Sequence, residues 1–521
     1  MDFLNTHLLT TILFFPVLAA LVILFIPNEL VKAIRWTALL ASIVPFILTL
    51  ILWSQFDPQV SGFQFQEQYP WYEAINSTFH VGIDGLSLSM VLLTTLLTPL
   101  ALLASFGISE KVKAYMMLFL FLEAGMLGVF LAMDLLIFFV FWEIGLVPMY
   151  FLINQWGSPK GERELWPGVK VSARNYASLK FMVYTMAGSL GLLLAIQLLG
   201  VLFQNYDLAF LTEKWNALDP NAQLLGLTVA QVKVVAFWAF VVAFALKVPV
   251  WPFHTWLPDA HTEAPTAGSM ILAGVLLKLG AYGFLRLVLP LFPAESQQYA
   301  GWLAFLATMA IVFGAFASYG QTDFKRLVAY SSVNHMGFVL LGIAAAATAI
   351  GTEHATIALN GAVLQMFNHG LSAAGMFFLV GVIYERTHTR NLEEFGGLFP
   401  LVPVYGGILI FTSMASLGLP GLNGFVSEFM VVQGSFPLLP VFTAISMIGL
   451  LFTGAYILKG IRKILHGPLN EHWAHGEHKI TEINGREIIV MAPLMALILF
   501  LGVWPMGLLD MINKAMVMLF H

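Results

Sequence analysis

Long apolar runs, separated by charged residues, glycine or proline, divide this chain from end to end. Most runs approach the roughly 20 residues that a helix needs to cross the hydrocarbon core of a bilayer. The pattern therefore predicts an all-α polytopic membrane protein with about fourteen transmembrane helices. The predicted spans are 8–26, 33–53, 83–106, 114–132, 135–153, 176–203, 232–247 with a broken continuation, 266–288, 301–319, 327–347, 355–384, 402–419 with a broken continuation to 432, 441–459 and 488–509.

The seventh and twelfth spans are predicted to be broken. Pro249, Pro252 and Pro258 follow the seventh apolar run, and Pro420 lies in a glycine-rich stretch within the twelfth. Proline removes a backbone donor and clashes with the preceding turn, so neither helix can continue regularly. Broken helix is tolerated at membrane depth only where protein or water covers the freed backbone groups. Two breaks five spans apart are what two inverted five-helix repeats would give, and two coincidental kinks are the alternative.

Composition supports a protein whose solvent is lipid. Of 521 residues, 59% are hydrophobic and only 10% are charged, whereas soluble domains carry about 25% charged residues. The chain has no cysteine, which excludes disulfides, thiolate metal sites and cysteine-ligated iron–sulfur clusters. No phosphate-binding glycine loop, dinucleotide fingerprint or axial haem pattern is present, so we expect no redox centre in this chain.

Lysine and arginine predict the orientation. They concentrate in alternate connections, about seventeen on one side against about four on the other, and the connection 54–80 has none. Because positive residues accumulate on the cytoplasmic side, both termini are predicted to lie outside. The connection 258–265 is an inside loop without lysine or arginine and departs from the pattern.

Four charged residues lie deep within predicted spans: Glu143, Lys247, Lys278 and Glu428. Each costs about 2.5–3.5 kcal/mol at the bilayer centre, so an ionisable residue there is a functional candidate by default. For Lys247 the alternative is a surface loop from which the side chain reaches the headgroups. We expect Glu143 to pair with Lys247, and Lys278 to contact hydrated groups further along.

Histidines follow on the next spans. An imidazole both donates and accepts near neutral pH, so it can pass a proton between a lysine and a carboxylate. One such histidine alone is more often a hydrogen-bonded interior residue, but two on successive spans with polar neighbours suggest a hydrated line. The residues are His335 and His369, their neighbours Ser332, Asn334, Asn368 and Ser372, and His254 in the broken seventh span.

Other candidates rank lower. His472, His475 and His478 cluster in a predicted inside loop, where adventitious metal binding is the most that their spacing supports. Glu123 is also within a span but has no polar or broken sequence beside it. Asp84, Asp134 and Asp259 lie near span ends, where helix capping is the favoured interpretation.

Five motifs together resemble the antiporter-like subunits of respiratory complex I. The resemblance covers nearly the whole chain. The motifs are FWE at 141–143, KVPVWPFHTWLPDAH at 247–261, LKLGAYG at 277–283, YSSVNHMG at 330–337 and GFVSEF at 424–429.

The resemblance implies a fold and a set of roles. It implies inverted repeats at about 114–288 and 301–460, preceded by three helices in 1–113 and followed by a loop and last helix in 461–521. It implies proton pumping in a bacterial inner membrane, driven by quinone reduction in partner subunits that hold NAD, FMN, Fe–S clusters and quinone. Glu143 and Lys247 become the coupling ion pair, Lys278 the central proton carrier, His335 and His369 the relays, and Glu428 the terminal residue.

Two other functions share the buried Glu–Lys–Lys arrangement. One is a subunit of a multi-chain cation/proton antiporter, and the other is a subunit of a ferredoxin-driven enzyme related to complex I. Glu428, where several sister subunits have lysine, and the motif at 330–337 favour the respiratory complex. Nothing in the chain supplies the energy to move a charge against a membrane potential, about 2.3 kcal/mol per 100 mV, so partner subunits are required.

Overall fold

A computed structural model describes residues 6–474 and 479–519. Within this part of the chain, 13 helices are long and apolar enough to cross a membrane, and the shorter apolar helix Pro403–Leu417 begins the twelfth predicted span. The predicted all-α membrane fold is confirmed. The 13 helices are Leu8–Phe25, Val31–Gln55, Gly85–Gly107, Val112–Leu131, Leu135–Trp156, Ala173–Phe203, Val229–Lys247, Thr266–Leu291, Ala300–Tyr319, Phe324–Thr348, Glu353–Thr387, Pro440–Leu465 and Gly485–Val503.

Several of these helices are irregular. The fifth consists of Leu135–Ile144 and Leu146–Trp156, which meet at Gly145. The third ends in the 3₁₀ turn Ser105–Gly107. The eighth alternates α and π turns. Turns of π-helix are rare in proteins, and those that occur often lie at functional sites. Its segments are Thr266–Ile271 (α), Leu272–Leu276 (π), Leu277–Gly283 (α), Phe284–Val288 (π) and Leu289–Leu291 (α).

Both predicted breaks are present. The seventh span ends at Lys247 and continues, after a 3₁₀ turn at Phe253–Thr255, as helix Trp256–Glu263. Pro249 cannot donate to Ala245 O, which accepts instead from the Val250 amide at 2.8 Å. The carbonyl of Leu246 then accepts from the Trp256 indole at 2.9 Å. The protein itself therefore covers the opened backbone, as the membrane interior requires.

The twelfth span breaks at a left-handed glycine. Helix Pro403–Leu417 ends where Gly418 adopts φ +83°, and helix Asn423–Ser435 follows. The Leu419 amide donates to Met414 O at 3.1 Å, which satisfies a carbonyl at the helix end. Asn423 and Asn368 exchange side-chain to main-chain hydrogen bonds at 2.8 and 3.2 Å, so the break is tied to the eleventh span.

The connections contain elements that the hydrophobic pattern did not predict. Three antiparallel hairpins pair short polar strands, and separate short helices lie outside the spans. The strands are Gln64–Tyr72 with Ser77–Ile83, Glu162–Trp166 with Val169–Ser172, and Gln223–Leu224 with Leu227–Thr228. The short helices are Leu208–Asn216, Pro293–Gln298 and Met506–Met518, with 3₁₀ turns at Glu73–Ile75, Leu392–Glu394 and Glu471–Trp473.

The last span is shorter than predicted. The predicted range 488–509 was wrong at its end, because the helix stops at Val503 and a new helix begins at Met506. Pro505 separates the two helices, and a proline cannot continue the hydrogen bonding of the preceding turn.

The predicted helix caps hold in two of three cases. Asp84 accepts from the Ser87 amide, and Asp134 accepts from the amides of Leu136 and Ile137. Asp259 is not a cap: it forms ion pairs with Lys180 at 2.7 Å and Arg326 at 3.0 Å. That prediction was wrong because the two cations come from other spans and cannot be seen from local sequence.

The hairpin Gln64–Ile83 is fastened to the ends of the spans. Ser77 donates to Asp134, and His80 Nδ1 lies 2.7 Å from Asp207 Oδ2. Burial raises the pKa of Asp207, but hydrogen bonds from His80 and from the backbone of Phe210 and Ala209 together outweigh it and leave the pKa below its ordinary value. The hairpin is thereby held over this end of the bundle.

Four spans form the interior of the bundle. The third, eighth, tenth and eleventh are almost wholly buried within the chain, whereas the second, thirteenth and fourteenth are about one-third buried. Small residues allow close packing in this interior. A Cβ at Gly280 would lie 2.7 Å from Phe244 O, so the eighth span rests directly on the seventh. Polar side chains on the central spans are therefore enclosed by protein.

Candidate functional site

Lys278 lies at the centre of the eighth span, between the two π turns. Its side chain is fully buried. The ammonium donates to Ala273 O on its own helix and lies 2.7 Å from His369 Nδ1 on the eleventh span. If the lysine is charged, His369 Nδ1 must be the acceptor, and neutral His369 then carries its proton on Nε2.

The two predicted histidines lie next to each other. The rings of His369 and His335 are 5.6 Å apart, centre to centre. His335 Nδ1 lies 2.6 Å from Glu428 Oε1, and its Nε2 lies 3.3 Å from the Tyr456 hydroxyl. Lys278, His369, His335 and Glu428 therefore form one buried line across the eighth, eleventh, tenth and twelfth spans, and we call it the central line.

Glu428 is held at the end of the central line. Its Oε1 also accepts from Gln365 Nε2 at 2.9 Å, and Gln365 Oε1 accepts from Ser427 at 2.5 Å. Glu428 Oε2 and His369 Nε2 are buried and have no hydrogen-bond partner within residues 6–474 and 479–519. Oε1 is thus fixed towards His335 and Gln365, while Oε2 is held by no described side chain.

Glu143 and Lys247 lie apart from this line and do not pair as predicted. In the described chain they form no ion pair, and the buried ammonium of Lys247 has no hydrogen-bond partner. Lys247 Nζ instead lies 4.5 Å from the centre of the Trp142 ring. Glu143 is only half-buried, and its buried Oε1 also has no partner. The predicted direct contact is therefore not formed in this conformation, although Glu143 still acts on the Lys247 charge through space.

Other sequence candidates stay outside the central line. His254 is half-buried, with its ring 6.0 Å from that of Tyr330. Glu123 is fully buried, and neither of its carboxylate oxygens has a partner in the part of the chain that the structure describes. The polar neighbours serve as braces: Asn334 donates to Ile311 O, and Ser331 and Ser332 bond their own helix.

Sequence reasoning missed four residues of the site. Gln365 lies one helical turn before His369, so helical spacing could have placed both on one face. Tyr456 gave no signal, since aromatic residues are common in apolar spans. Trp142 lies in the FWE motif at 141–143, but it was not singled out as a candidate. His261 lies in a motif that was noted, yet its role was not singled out; it is fully buried and stacks on Phe377 with ring centres 4.1 Å apart.

A cavity of about 200 Å³ opens at one end of the bundle, beside the second helix of the broken seventh span. Glu263, Lys325 and Arg390 contribute charged groups to its wall. Lys325 donates to Ala264 O, directly after the helix that holds His261. This cavity brings ionisable groups from the seventh, tenth and eleventh spans to one place on the surface.

A metal site is not supported by the described residues, among which no group of three or more His, Cys, Asp or Glu could hold an ion. His475 and His478 of the predicted cluster lie outside the described residues. Adventitious binding by that loop stays a prediction.

The sequence of residues 132–453 matches the family described as NADH:quinone oxidoreductase/Mrp antiporter, TM. The matched region contains Glu143, Lys247, Lys278, both histidines and Glu428. The chain belongs to this family. The resemblance inferred from the five motifs is therefore confirmed.

Relatives match over nearly the full length. The chain is 38% identical over 526 residues to the NADH-quinone oxidoreductase subunit M of Rhodobacter capsulatus, covering 98% of this chain and 95% of the relative. It is 40% identical over 496 residues to subunit M of Pseudomonas aeruginosa, covering 92% and 91%. The structure of respiratory complex I from Thermus thermophilus with bound NADH contains a similar chain: TM-score 0.82, 27% identity, covering 98% of this chain and 100% of that one.

Proposed function

We propose that this chain is the subunit M (subunit 4) component of a bacterial NADH:quinone oxidoreductase and translocates protons across the inner membrane. The observation that carries the proposal is the central line, in which four protonatable side chains join across four spans. The near full-length likeness to two proteins named NADH-quinone oxidoreductase subunit M supports the choice of complex.

Proton transfer follows from the geometry of the central line. The Lys278 ammonium gives a proton to His369 Nδ1 along their 2.7 Å contact. His369 then releases the proton on Nε2 towards His335; ring centres 5.6 Å apart leave room for one bridging water or a ring rotation. His335 Nδ1 delivers it to Glu428 Oε1 at 2.6 Å. After one passage each imidazole holds its proton on the nitrogen that accepted it, so each ring must rotate or exchange its tautomer through water before it takes the next proton.

The driving energy comes from other subunits. Moving one charge against 100 mV requires about 2.3 kcal/mol, and this chain has no cysteine to hold an iron–sulfur cluster. In this proposal NAD, FMN, Fe–S clusters and quinone belong to partner subunits, which include other antiporter-like and quinone-site subunits. In this proposal Glu143 and Lys247 couple the neighbouring subunit to Lys278 by forming and opening an ion pair.

The orientation and the repeats are part of the same proposal. The lysine and arginine bias places both termini on the periplasmic side. Residues 114–288 and 301–460 form inverted repeats, between the helices of 1–113 and the final segment 461–521. Support comes from the two breaks, each of which falls in the fourth span of its proposed repeat.

The identity of the complex can be tested on native membranes. The chain is tagged, the membranes are solubilised gently, and the tagged band is located on a native gel stained for NADH oxidation. We expect comigration with a very large band that oxidises NADH. A smaller band without NADH oxidation, together with sodium/proton exchange in vesicles, would overturn the proposal in favour of the antiporter; oxidation of reduced ferredoxin alone would favour the ferredoxin-linked enzyme.

The variant Glu143→Gln tests the coupling role. Glutamine keeps the shape and removes the charge, and because Glu143 makes no ion pair here, we expect assembly to be unaffected. NADH-driven proton translocation should fall roughly tenfold or more, since a coupling free energy of about 1–3 kcal/mol between two sites corresponds to roughly 5–150-fold. The rate is measured in inverted membrane vesicles, normalised to the amount of assembled complex. Unchanged translocation would contradict the coupling role.

A further inference from the structure

We propose that Trp142 is a positioning residue that holds the Lys247 ammonium whenever Lys247 is not paired with Glu143. Lys247 then alternates between two adjacent partners, an aromatic face and a carboxylate. This inference rests on the proposed function, because it describes how one of the coupling residues is kept in place between its two states.

The contact itself is the first observation. Lys247 Nζ lies 4.5 Å from the centre of the Trp142 ring, and both side chains are buried. The ammonium has no hydrogen-bond partner in the described chain. A cation over an indole is stabilised most where water is excluded, and tryptophan is the best of the aromatic partners. The ring is thus the direct contact of this charge in the observed conformation, and Glu143 acts on the charge from a distance without forming an ion pair.

The indole is held rigidly. Its Nε1 donates to Ser189 Oγ on the sixth span at 3.0 Å. Its ring packs against Phe138, with ring centres 5.8 Å apart, and against Phe244 at 5.4 Å. Phe244 lies one turn before Lys247 on the same helix. The helix that carries the lysine therefore also packs against the Trp142 ring. A ring fixed on three sides loses little freedom when the cation docks on it.

The alternative partner is the next residue in the chain. Trp142 and Glu143 are consecutive residues of one α-helix, so their side chains point about 100° apart. The flexible Lys247 side chain can therefore reach either of them. Glu143 Oε1 is buried and has no partner among residues 6–474 and 479–519. The helix is interrupted two residues later at Gly145. No proton is transferred in the exchange: Lys247 stays charged while the carboxylate gains or loses its counter-ion.

This arrangement has a functional consequence. Without the ring, a buried ammonium that leaves Glu143 has no partner, and an unpaired buried charge readily loses its proton. With the ring, the charge persists while the pair is open, so Lys247 can pair with Glu143 again without first taking up a proton. The contact of Lys247 with the Trp142 ring therefore sets both the rate of coupled translocation and the highest pH at which it proceeds.

The test uses the assembled complex in inverted vesicles and measures the rate of NADH-driven translocation from pH 6 to 9. The alkaline limit is the pH above which this rate falls to half of its maximum. For Trp142→Leu we expect the rate to fall roughly tenfold and the alkaline limit to move about one pH unit lower. Trp142→Phe keeps an aromatic face but loses the hydrogen bond to Ser189, so it should recover most of the pH profile. Ser189→Ala should show a small effect in the same direction.

A matched control comes from a second lysine over a tryptophan. Lys233 Nζ lies 5.4 Å from the ring of Trp215, which is fully buried but outside the central line. Trp215→Leu creates a comparable packing defect and should leave the alkaline limit unchanged. If Trp215→Leu shifts the limit as far as Trp142→Leu, the effect is one of packing and the proposal is overturned.

The remaining outcomes separate this inference from the proposed function. A wild-type rate and pH profile for Trp142→Leu, with translocation lost in Lys278→Met, would overturn the role of Trp142 alone. Equal loss in Trp142→Leu and Trp142→Phe, in complexes of normal assembly, would also overturn it, because the aromatic face would then not matter. Normal translocation in Lys278→Met would overturn the proposed function itself.

Discussion

Replacing Lys278 by methionine is expected to abolish proton translocation while leaving the complex assembled. Methionine has a similar length and suits a fully buried position between apolar helices. It removes the donor to Ala273 O and His369 Nδ1, and with it the first protonatable group of the central line. Because a positioned acid–base group contributes factors of about 10²–10⁴, NADH-driven translocation in vesicles should fall to the detection limit.

The control for this experiment is Lys233→Met. Lys233 is also a buried lysine in a span, but it lies over Trp215, away from the central line. Its replacement should change translocation less than twofold at equal assembly. Equal losses in the two variants would show that removing any buried lysine disturbs the bundle, and would count against a specific role of Lys278.

The second large effect is expected for Glu428→Gln. A glutamine can keep the acceptor contact with Gln365 and the approach of His335, so the packing of the broken twelfth span is preserved. It cannot take the proton that His335 delivers at 2.6 Å. Translocation should fall roughly a hundredfold, and the initial proton uptake from the inside should be retained as a single-turnover burst.

Glu295→Gln is the matched control, because Glu295 is a buried carboxylate that lies in the short helix Pro293–Gln298 outside the spans. We expect wild-type translocation for it. A Glu428→Gln variant that pumps normally would place the end of the path elsewhere, and Glu123, whose buried carboxylate has no described partner, would then be the next residue to replace.

The apolar runs determined most of the architecture. Span positions agree with prediction to within a few residues, because a bilayer fixes the length of a helix and penalises every charge inside it. The breaks were equally visible, since proline and glycine act locally on the backbone. Hairpins such as Gln64–Ile83 were missed because short polar strands leave no apolar signature.

The contacts between functional residues could be predicted only in part from the sequence. Sequence selected Lys278, His335, His369 and Glu428 because each is polar in an apolar span, and the structure brings all four together. It did not place Gln365 or Tyr456 beside them. The predicted direct contact of Glu143 and Lys247 is absent: Lys247 is buried as expected, but Glu143 is half-buried and the ammonium lies over the Trp142 ring.

The sequence by itself determined which segments cross the membrane, where two of them break and which charges lie inside, because these depend on each segment's own transfer free energy and backbone geometry. Only the tertiary structure decided which charges meet. Lys278 and His369 are 91 residues apart, and His335 and Glu428 are 93 apart. Lipid and protein interiors are equally apolar, so helix neighbours in a membrane are chosen by close packing and hydrogen bonding between spans, which no single segment contains.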